Sequence, residues 1–506
     1  MQSMNASALA SGADLQFGDR VVVIDGMAAF RPLPDGAAGE KRYVAGRFWG
    51  DTPSRLDGSA DLSGTFGRFV VLVHEPARGR LTVHNDRYGM LPLFIAQHQG
   101  RLLLSLSQAG LARQGVRETL DVGVLTDVLA FNVPLANGTL YRGIRLLPGA
   151  SRLAIDLASL DQKAERLWQP AAALNPGDRP LADVQDKLSD LLLEGYDLIS
   201  RGSTRVGVTL SGGVDSRLLL AAGLALGRPM QAYATGVPGS RSLEYSKGMA
   251  ELCQVPYHAY PLGPEFVTRF ASLVEQNAAL TQGVSFNSEA EARYLRDHVA
   301  PAGSVMMHGA FAELYKIGHM HNFPWDAGAR AAGLDGLTAN LLQRGRGRLA
   351  RRAAALAAPL REAVNGALEA RVRAKIDAVP AGSALSTVLQ CLYFDEFLGK
   401  VSVASGLLWN DHLPTAFPFS YPPFVDLLLS VKPEDRAQFR FPRHFLARTH
   451  KGLAAYPDSN TGASIGASDT TIFLVHLRDW LRKKLFGSRL LFDHMDVPTW
   501  LDGLQP

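Results

Sequence analysis

The sequence contains little cysteine and no long apolar run. Its 506 residues include two cysteines, Cys253 and Cys391, which lie far apart and outside any paired motif. A disulfide framework and a cysteine-based zinc site are therefore not expected, and a reducing compartment fits best. No apolar run approaches the roughly 18 residues that a membrane span needs, and Met1 to Phe17 lacks the basic start and apolar centre of a secretory signal. We expect a cytoplasmic protein with no membrane span.

A strong excess of one charge is also missing. Lys plus Arg amount to 52 and Asp plus Glu to 48, which gives a net charge of +4. An excess this small over the whole chain does not imply a nucleic-acid partner, and none is expected. Basic residues do cluster in segments 343–352 and 478–484. Two interpretations stay open for these segments: a solvated helix face, or a surface for an acidic peptide or another anionic partner.

The length and the apolar pattern predict more than one domain. Apolar runs separated by turn residues predict antiparallel strands in the first part of the chain, at Phe69–His74, Arg80–His84, Leu93–Gln97 and Leu102–Leu106. Three prolines between residues 169 and 181 indicate a linker, and helical periodicity dominates after it. We therefore predict an N-terminal domain over residues 1–170, a linker over 171–181 and a second domain over 182–506.

The most informative segment joins a short strand to a helix. After the strand candidate 205–210 comes the loop Ser211-Gly212-Gly213-Val214-Asp215-Ser216, and an apolar helix follows. A helix N-terminus presents N–H groups and partial positive charge, and glycine lets the backbone approach an anion closely. A carboxylate in an anion-binding loop indicates a bridging cation, so Asp215 suggests magnesium shared with phosphate oxygens. A glycine-rich turn with capping Ser and Asp is the plainer alternative, which the full string in this context disfavours.

At these residues the sequence resembles the PP-loop ATP pyrophosphatases, and specifically the asparagine synthetase family. Three further stretches support the narrower match: Gly64 to Phe94 with its Asp86-Arg87-Tyr88-Gly89 hairpin, Gly138 to Gly149 leading to Trp168, and Glu244-Tyr245-Ser246 followed by His258. The resemblance covers residues 55–320 well and residues 390–465 loosely. It implies an α/β fold, with an N-terminal αββα N-terminal-nucleophile-like sandwich and a C-terminal PP-loop domain (adenine nucleotide α-hydrolase-like) built on a parallel sheet with helices.

The resemblance implies an ATP-dependent carbon–nitrogen ligase that uses ATP and Mg²⁺. A substrate carboxylate attacks the α-phosphorus of ATP, pyrophosphate leaves, and an amine attacks the acyl-adenylate to give an amide. The residues that it assigns to the nucleotide are Leu210, Ser211, Gly212, Gly213, Asp215, Ser216, Gly236, Met307 and His308. The residues that it assigns to the metal are Asp215 and Glu313.

The same resemblance predicts three catalytic residues. Glu396 lies where ring-closing members place a carboxylate that accepts the proton of the amine. Arg443 resembles a basic position that contacts phosphate. Glu313 stands beside Ala312, which occupies the position of the family's metal-binding Asp in a second motif at residues 307–315. The family's C-terminal Lys has no counterpart in residues 459–462.

The amine source departs from the glutamine-dependent members of that family. In those members a Cys follows the initiator Met and attacks glutamine, whereas residue 2 is Gln2 here. We expect a scaffold domain without glutaminase activity. In this loss the sequence resembles two branches of the family, the β-lactam synthetases and the lasso-peptide macrolactam cyclases. The lasso-peptide cyclases fit better, and they imply a ribosomal precursor peptide and its protease as partners. The alternatives are an asparagine synthetase that uses ammonia, and a non-catalytic nucleotide- or partner-binding relative, which Ala312 and the missing Lys favour.

Overall fold

Contacts within the computed structural model divide the chain into two units. The first comprises Met1–Pro176, Ala278–Asn287 and Ile317–Leu407, and the second comprises Gly177–Asn277, Ser288–Lys316 and Leu408–Pro506. The structure describes residues 15–24, 30–36, 39–116, 119–170, 177–281, 283–285, 289–299, 304–315, 323, 326–410, 412–436, 439–459, 461–468, 470–471, 473–475, 477–478 and 481. Gln2, the linker residues 171–176 and the basic residues 482–484 lie outside the described residues.

The helices and strands of the described residues are numbered here in chain order. The strands are β1 (Leu15–Phe17), β2 (Val21–Ile24), β3 (Phe30–Leu33), β4 (Lys41–Phe48), β5 (Gly67–Glu75), β6 (Arg80–Asn85), β7 (Phe94–His98), β8 (Arg101–Ser105), β9 (Ile144–Leu146), β10 (Ser151–Asp156), β11 (Gln162–Arg166), β12 (Arg205–Thr209), β13 (Met230–Gly236), β14 (Tyr257–Pro261), β15 (Ser304–Met307) and β16 (Thr415–Ala416). The α-helices are α1 (Gln108–Arg113), α2 (Val122–Phe131), α3 (Leu181–Ser200), α4 (Val214–Ala225), α5 (Arg241–Leu252), α6 (Pro264–Thr281), α7 (Ala290–His298), α8 (Ala327–Arg352), α9 (Ala358–Asp377), α10 (Leu385–Leu392), α11 (Val403–Asn410), α12 (Pro422–Leu429), α13 (Pro433–Arg436), α14 (Arg440–Thr449) and α15 (Lys451–Ala455). A π-helix, Tyr393–Ser402, joins α10 to α11.

The first unit contains two sheets. One has the strand order β1-β2-β8-β7-β9, and the other, which is antiparallel throughout, has the order β11-β10-β6-β5-β4-β3. The predicted antiparallel strands correspond to β5–β8, which confirms them. Residues 69–73 of β5 form an uninterrupted apolar run because this part of the strand is covered on both faces. Val70 and Leu72 face a core shared by the two sheets, and Phe69 and Val71 face a second cluster.

Helices α2, α8, α9 and α10 form another apolar cluster in the first unit. The basic segment 343–352 lies at the end of α8, where Arg348 donates to the carbonyl of Ala130 and Arg352 to that of Leu129. Guanidinium groups stabilise the carboxyl end of a helix such as α2, where the dipole is negative. These two arginines therefore have a structural role, and an anionic partner for the rest of the segment stays a prediction. The predicted domain division at residues 170 and 182 also stays a prediction. In the structure, Ile317–Leu407 groups with the first unit.

The second unit is built on a parallel sheet with the strand order β14-β13-β12-β15-β16. The strand candidate at 205–210 corresponds to β12. Val206 and Val208 of the central strand are fully buried, as a strand covered on both faces requires. With two sheets in the first unit and a parallel sheet with helices in the second, the fold class is the predicted α/β.

None of the helices in the described ranges combines the length and the apolar character that crossing a bilayer demands.

Candidate active site

The loop between β12 and α4 is shaped to receive an anion. Gly212 has a φ of +76°, which disfavours a side chain, and a Cβ atom there would lie 3.1 Å from the Cβ of Ser459. Gly213 stands at the N-cap of α4 and has no side chain with which to cap the first turn. The first N–H groups of α4 point toward the loop, which is the arrangement that binds phosphate at helix N-termini.

Two serines brace the loop from within. The Ser211 amide donates to Oγ of Ser216 over 3.2 Å, and the two hydroxyls lie 3.3 Å apart. Ser216 is buried in the first turn of α4, whereas Ser211 is exposed. The exposed hydroxyl can donate to a ligand oxygen while the buried one fixes the backbone.

The other predicted nucleotide residues lie at the same edge of the sheet. Leu210 follows β12 and its amide donates to the Tyr233 carbonyl over 2.7 Å, while Gly236 is the last residue of β13. Met307 ends β15, and His308 follows it. Because β12, β13 and β15 are parallel neighbours, their carboxyl ends share one edge, where ligands of open α/β sheets bind. The structure therefore brings these residues together with the loop.

His308 is held as a neutral imidazole. Burial lowers its pKa to about 4, with Asp215 acting in the opposite direction. Its Nδ1 accepts a hydrogen bond from the Ala310 amide over 3.1 Å, and its ring packs edge-on against Phe417. A neutral ring at this position can shape the pocket and form a hydrogen bond, but it does not supply positive charge to a phosphate.

Asp215, the predicted metal ligand, accepts a hydrogen bond from the hydroxyl of Tyr315. Tyr315 is fully buried, and burial together with the Asp215 carboxylate raises the pKa of its hydroxyl well above the usual value, so that it stays a donor. Gly309 faces Asp215, because a Cβ atom on Gly309 would lie 3.2 Å from that of Asp215. Tyr315 ends the second motif, residues 307–315, but the resemblance assigns no role to its hydroxyl.

The donor set fits a single magnesium ion held largely by the nucleotide. Mg²⁺ commonly binds through one or two carboxylates and the phosphates of its substrate. Asp215 supplies one carboxylate, and Glu313 is half-buried in the short 3₁₀ helix Ala312–Tyr315. Within the described residues no three His, Cys, Asp or Glu side chains converge as a preformed metal cluster. A metal here would depend on Asp215 and on phosphate oxygens.

Comparison with known proteins decides the family. The asparagine synthase profile matches residues 187–461, which is more than half of the chain, and a glutamine amidotransferase domain profile matches residues 55–168. The chain belongs to the asparagine synthase family. It is accordingly an ATP-dependent carbon–nitrogen ligase, and the loop described above lies within the matched residues.

Solved structures and curated proteins add little to this assignment. An NMN synthetase from Francisella tularensis is 13% identical, covers 43% of this chain and 94% of its own, and has a TM-score of 0.22. A glutamine-dependent NAD⁺ synthetase from Acinetobacter baumannii, solved with ADP, is 14% identical over 54% of this chain and 60% of its own, also with a TM-score of 0.22. An NAD⁺ synthetase from Burkholderia pseudomallei is 16% identical over 44% and 91%, with a TM-score of 0.21. No curated protein matches the sequence. TM-scores this low leave the family profile as the basis of the assignment.

Sequence reasoning missed a buried arginine that fastens the loop of this asparagine synthase family member. Arg217 is fully buried in α4. Its guanidinium donates to four carbonyl oxygens, those of Gly212 (3.1 Å), Leu453 (3.1 Å), Tyr456 (2.7 Å) and Pro457 (2.7 Å). Residues 453–459, called here the C-terminal strap, are thereby tied to the phosphate loop. The signal in the sequence was a lone charge at the head of the apolar run Leu218-Leu219-Leu220.

The strap also reaches the loop through a serine. The Ser459 amide donates to the Gly212 carbonyl over 3.1 Å, and its hydroxyl donates to the Ser211 carbonyl over 3.3 Å. From α5, the Ser242 hydroxyl donates to the same Ser211 carbonyl over 2.8 Å. The loop carbonyls therefore point toward protein donors, which leaves the amide side of the loop for a ligand.

Two of the predicted catalytic residues have surroundings that do not by themselves reveal a role. Arg443 lies on the exposed side of α14, whose buried Phe441 and Phe445 face the interior of the second unit. Its contact with phosphate stays a prediction. Glu396 belongs to the first unit, and its ion-pair partners Lys375 and Lys400 lie in the same unit.

Glu396 is buried between two ammonium groups. Its carboxylate lies 2.6 Å from Nζ of Lys375 and 2.7 Å from Nζ of Lys400. Burial opposes ionisation, but Lys400 and Lys375 outweigh it and hold the pKa of Glu396 below its usual value. The general-base role stays a prediction, and a base held in this way accepts a proton readily only when one of the lysines moves or loses its charge.

Proposed function

We propose that this protein adenylates a substrate carboxylate and closes an amide with an amine on the same substrate. The observation that carries the proposal is the Ser211–Ser216 loop, whose glycine N-cap and braced serines lie at the carboxyl edge of a parallel sheet, where such folds bind ligands. A carboxylate oxygen attacks the α-phosphorus of ATP and pyrophosphate leaves. The amine then attacks the acyl carbon, AMP leaves, and the amine loses a proton to a base.

In this proposal the residues of the chain orient and stabilise the reacting groups. Amides at the head of α4 and the Ser211 hydroxyl hold the departing pyrophosphate, and Asp215 holds Mg²⁺, with Glu313 as the neighbouring carboxylate. Bound magnesium would offset the negative charge that develops on the phosphate oxygens. Arg443 would add positive charge near phosphate, and Glu396 would take the proton of the amine.

The amine is proposed to come from the substrate because glutamine-dependent members carry their nucleophilic Cys directly after the initiator Met, where this sequence has Gln2. The two cysteines, Cys253 and Cys391, lie far from that position in the sequence. A substrate that carries its own amine makes the second step intramolecular, which raises the effective concentration of the nucleophile. A ring-closing, macrolactam-forming reaction on a ribosomal precursor peptide supplied by a protease fits this requirement. An asparagine synthetase that takes ammonia from solution is the nearest alternative.

Exchange of labelled pyrophosphate into ATP tests the adenylation step. We expect exchange with a suitable carboxylate, and the screen should include aspartate and synthetic peptides that carry a free N-terminal amine and an internal Asp or Glu. Aspartate with ammonium yielding asparagine would favour the alternative, and a cyclised peptide lighter by one water would support ring closure. Release of glutamate from glutamine would contradict the proposed loss of glutaminase activity.

Asp215→Asn is the matching variant. It should lower AMP formation by about 100- to 1000-fold, the scale on which removing a group that stabilises transition-state charge acts. Asp183→Asn, an exposed carboxylate in the first turn of α3, is the control that should keep full activity. Unchanged AMP formation in Asp215→Asn would refute the proposed metal role.

A further inference from the structure

The first unit encloses a cavity to which the proposed function assigns no ligand, although Glu396, the proposed base, is one of its lining residues. Its volume is about 440 Å³, within the range of roughly 300 to 1,000 Å³ typical of small-molecule sites. The cavity lies between the hairpin residues 87–89, the segment 146–149, residues 166–170, helix α9 and the π-helix. The inference drawn from it goes beyond the proposed function and does not rest on it, because every residue involved belongs to the first unit.

One wall of the cavity is aromatic. Tyr88 stacks on Phe394 with their ring centroids 6.1 Å apart and the planes inclined by 14°. Trp168 packs edge-on against both, at 5.9 Å from Tyr88 and 5.3 Å from Phe394. The guanidinium of Arg87 lies 4.7 Å from the centre of the Trp168 ring. This wall offers flat apolar surface, and a cation already covers a face of its indole ring.

The other wall is a network of ion pairs. Arg166 bonds to Asp395 over 2.7 Å, and Lys375 bonds to the same carboxylate over 3.2 Å. Lys375 and Lys400 together hold Glu396 at 2.6 and 2.7 Å. Each carboxylate is therefore shared between two cations, which leaves neither of them ready to bind a positively charged ligand.

The lining carries more positive than negative charge. Its charged side chains are Arg87, Arg166, Arg371, Lys375, Lys400, Asp395 and Glu396. Arg371 is neutralised by Asp127, which lies behind it, with Nε 2.9 Å from Oδ1. Among the described residues none accepts a hydrogen bond from the buried Nε of Arg166. Burying these ions costs free energy that an apolar lining would not cost. The ion pairs offset part of that cost, but the cations of the lining outnumber its carboxylates, and the excess has no such offset within the cavity.

We propose that this cavity binds a small organic carboxylate with an aromatic body. The carboxylate would lie on the side of Arg166 and Lys375, where the excess positive charge and a donor without an acceptor are found. The ring would pack against Tyr88, Trp168 and Phe394, whose surface suits a flat apolar group. A cavity of about 440 Å³ holds a molecule with the size of an aromatic amino-acid derivative.

Calorimetric titration with three indole probes tests the proposal. Indole-3-acetate carries the ring and the anion, tryptamine carries the same ring with an ammonium group, and 3-methylindole carries the ring alone. We expect saturable binding of indole-3-acetate, with the other two binding at least about tenfold more weakly. Added salt should weaken the binding of indole-3-acetate and leave that of 3-methylindole unchanged. No saturable binding of indole-3-acetate, or equal binding of tryptamine, would overturn the proposal.

Variants connect the binding to this cavity. Arg166→Met and Phe394→Leu should each raise the Kd for indole-3-acetate by about tenfold or more, since the first removes the anion's partner and the second part of the aromatic wall. Arg166→Lys keeps the charge and should restore most of the affinity, which separates binding from folding. Arg351→Met, an exposed arginine of α8, is the matched control. Wild-type affinity in a folded Arg166→Met, as judged by its thermal unfolding, would overturn the assignment.

Discussion

Two carboxylates, Asp215 in the second unit and Glu396 in the first, accept hydrogen bonds from different kinds of donor. Asp215 is half-buried and accepts from the neutral hydroxyl of Tyr315. Glu396 is buried and lies between the ammonium groups of Lys375 and Lys400. A hydroxyl fixes the position of a carboxylate without neutralising it, whereas two ammonium groups neutralise it in place.

This difference separates a carboxylate that can serve a cation from one that cannot. The Tyr315 hydroxyl does not cancel the charge of Asp215, which is consistent with the metal role proposed for this residue. The charge of Glu396 is already used in holding α9 to the π-helix, and whatever binds in the neighbouring cavity meets a surplus of positive charge. The same chemical group is therefore proposed to serve a metal in one unit and lies in an electropositive cavity in the other.

Removing one lysine beside Glu396 should have the largest effect. In Lys400→Met the buried carboxylate keeps Lys375 alone, and the carbonyls of Pro134 and Ala136 lose their donor. The free energy of unfolding should fall by about 3 to 5 kcal/mol, as when one partner of a buried ion pair is removed. Denaturant unfolding measures this loss, and Lys163→Met on the exposed strand β11 should cost little. A loss below about 1 kcal/mol would mean that the pair is not buried in solution.

The same pair predicts an acid dependence of stability. The folded pKa of Glu396 lies below its usual value of 4.5. Its ionised form therefore contributes stability that is present above pH 4.5 and is lost as the pH falls through the folded pKa. Unfolding measured between about pH 5 and pH 3 should show that Lys400→Met loses less stability on acidification than the wild type does. An identical pH dependence in both proteins would contradict the coupling.

Loosening the C-terminal strap should have an intermediate effect on the phosphate loop. Arg217→Met removes the arginine donor from the carbonyls of Leu453, Tyr456 and Pro457, and it leaves the Gly212 carbonyl with the Ser459 amide alone of these two donors. The free energy of unfolding should fall by about 2 to 3 kcal/mol. Ser459→Gly should leave stability nearly unchanged but weaken ATP binding, because the strap then holds the Gly212 side of the loop less firmly. Titration with ATP and thermal unfolding together separate the two effects. If Arg217→Met binds ATP as the wild type does, the strap does not position the loop.

The smallest expected effect tests how Asp215 is held. Tyr315→Phe removes the hydroxyl that donates to Oδ1 of Asp215, so that this oxygen no longer shares its lone pairs with the phenol. The Kd for ATP in the presence of Mg²⁺ should fall by roughly threefold to tenfold, and the Kd without Mg²⁺ should stay constant. Tyr260→Phe, whose hydroxyl donates to the His298 carbonyl in the same unit, is the control. Weaker binding in Tyr315→Phe, or a change that does not depend on Mg²⁺, would show that the hydroxyl acts through the fold instead.

Features that depend on neighbouring residues could be predicted from the sequence. The strands β5 to β8 follow from apolar runs between turns, and the phosphate loop follows from one string of six residues between a strand and a helix. The convergence of Leu210, Gly236 and Met307 was expected from the resemblance, and parallel strands that end at one edge explain it.

Features that depend on residues far apart in the chain could not be predicted in this way. The four carbonyls that Arg217 binds and the two lysines beside Glu396 become neighbours only through tertiary packing. The packing of α8 and α9 in one apolar cluster with α2 does not follow from the sequence, because an amphipathic helix does not show in its own sequence which core it joins. For Arg217, the local sign of its long-range contacts was its position as a single charge before Leu218-Leu219-Leu220.

Binding of ATP with magnesium to Gly212→Val tests the central claim most directly. A β-branched residue at a φ of +76°, next to Ser459 and Tyr245, must distort the phosphate loop. Gly202→Val is the matched control, because Gly202 has a φ of +78° with open space around it. The account predicts that Gly202→Val binds ATP as tightly as the wild type does, while Gly212→Val, equally stable to heat, loses ATP binding. Wild-type ATP affinity in Gly212→Val would contradict the assignment of this loop to the nucleotide.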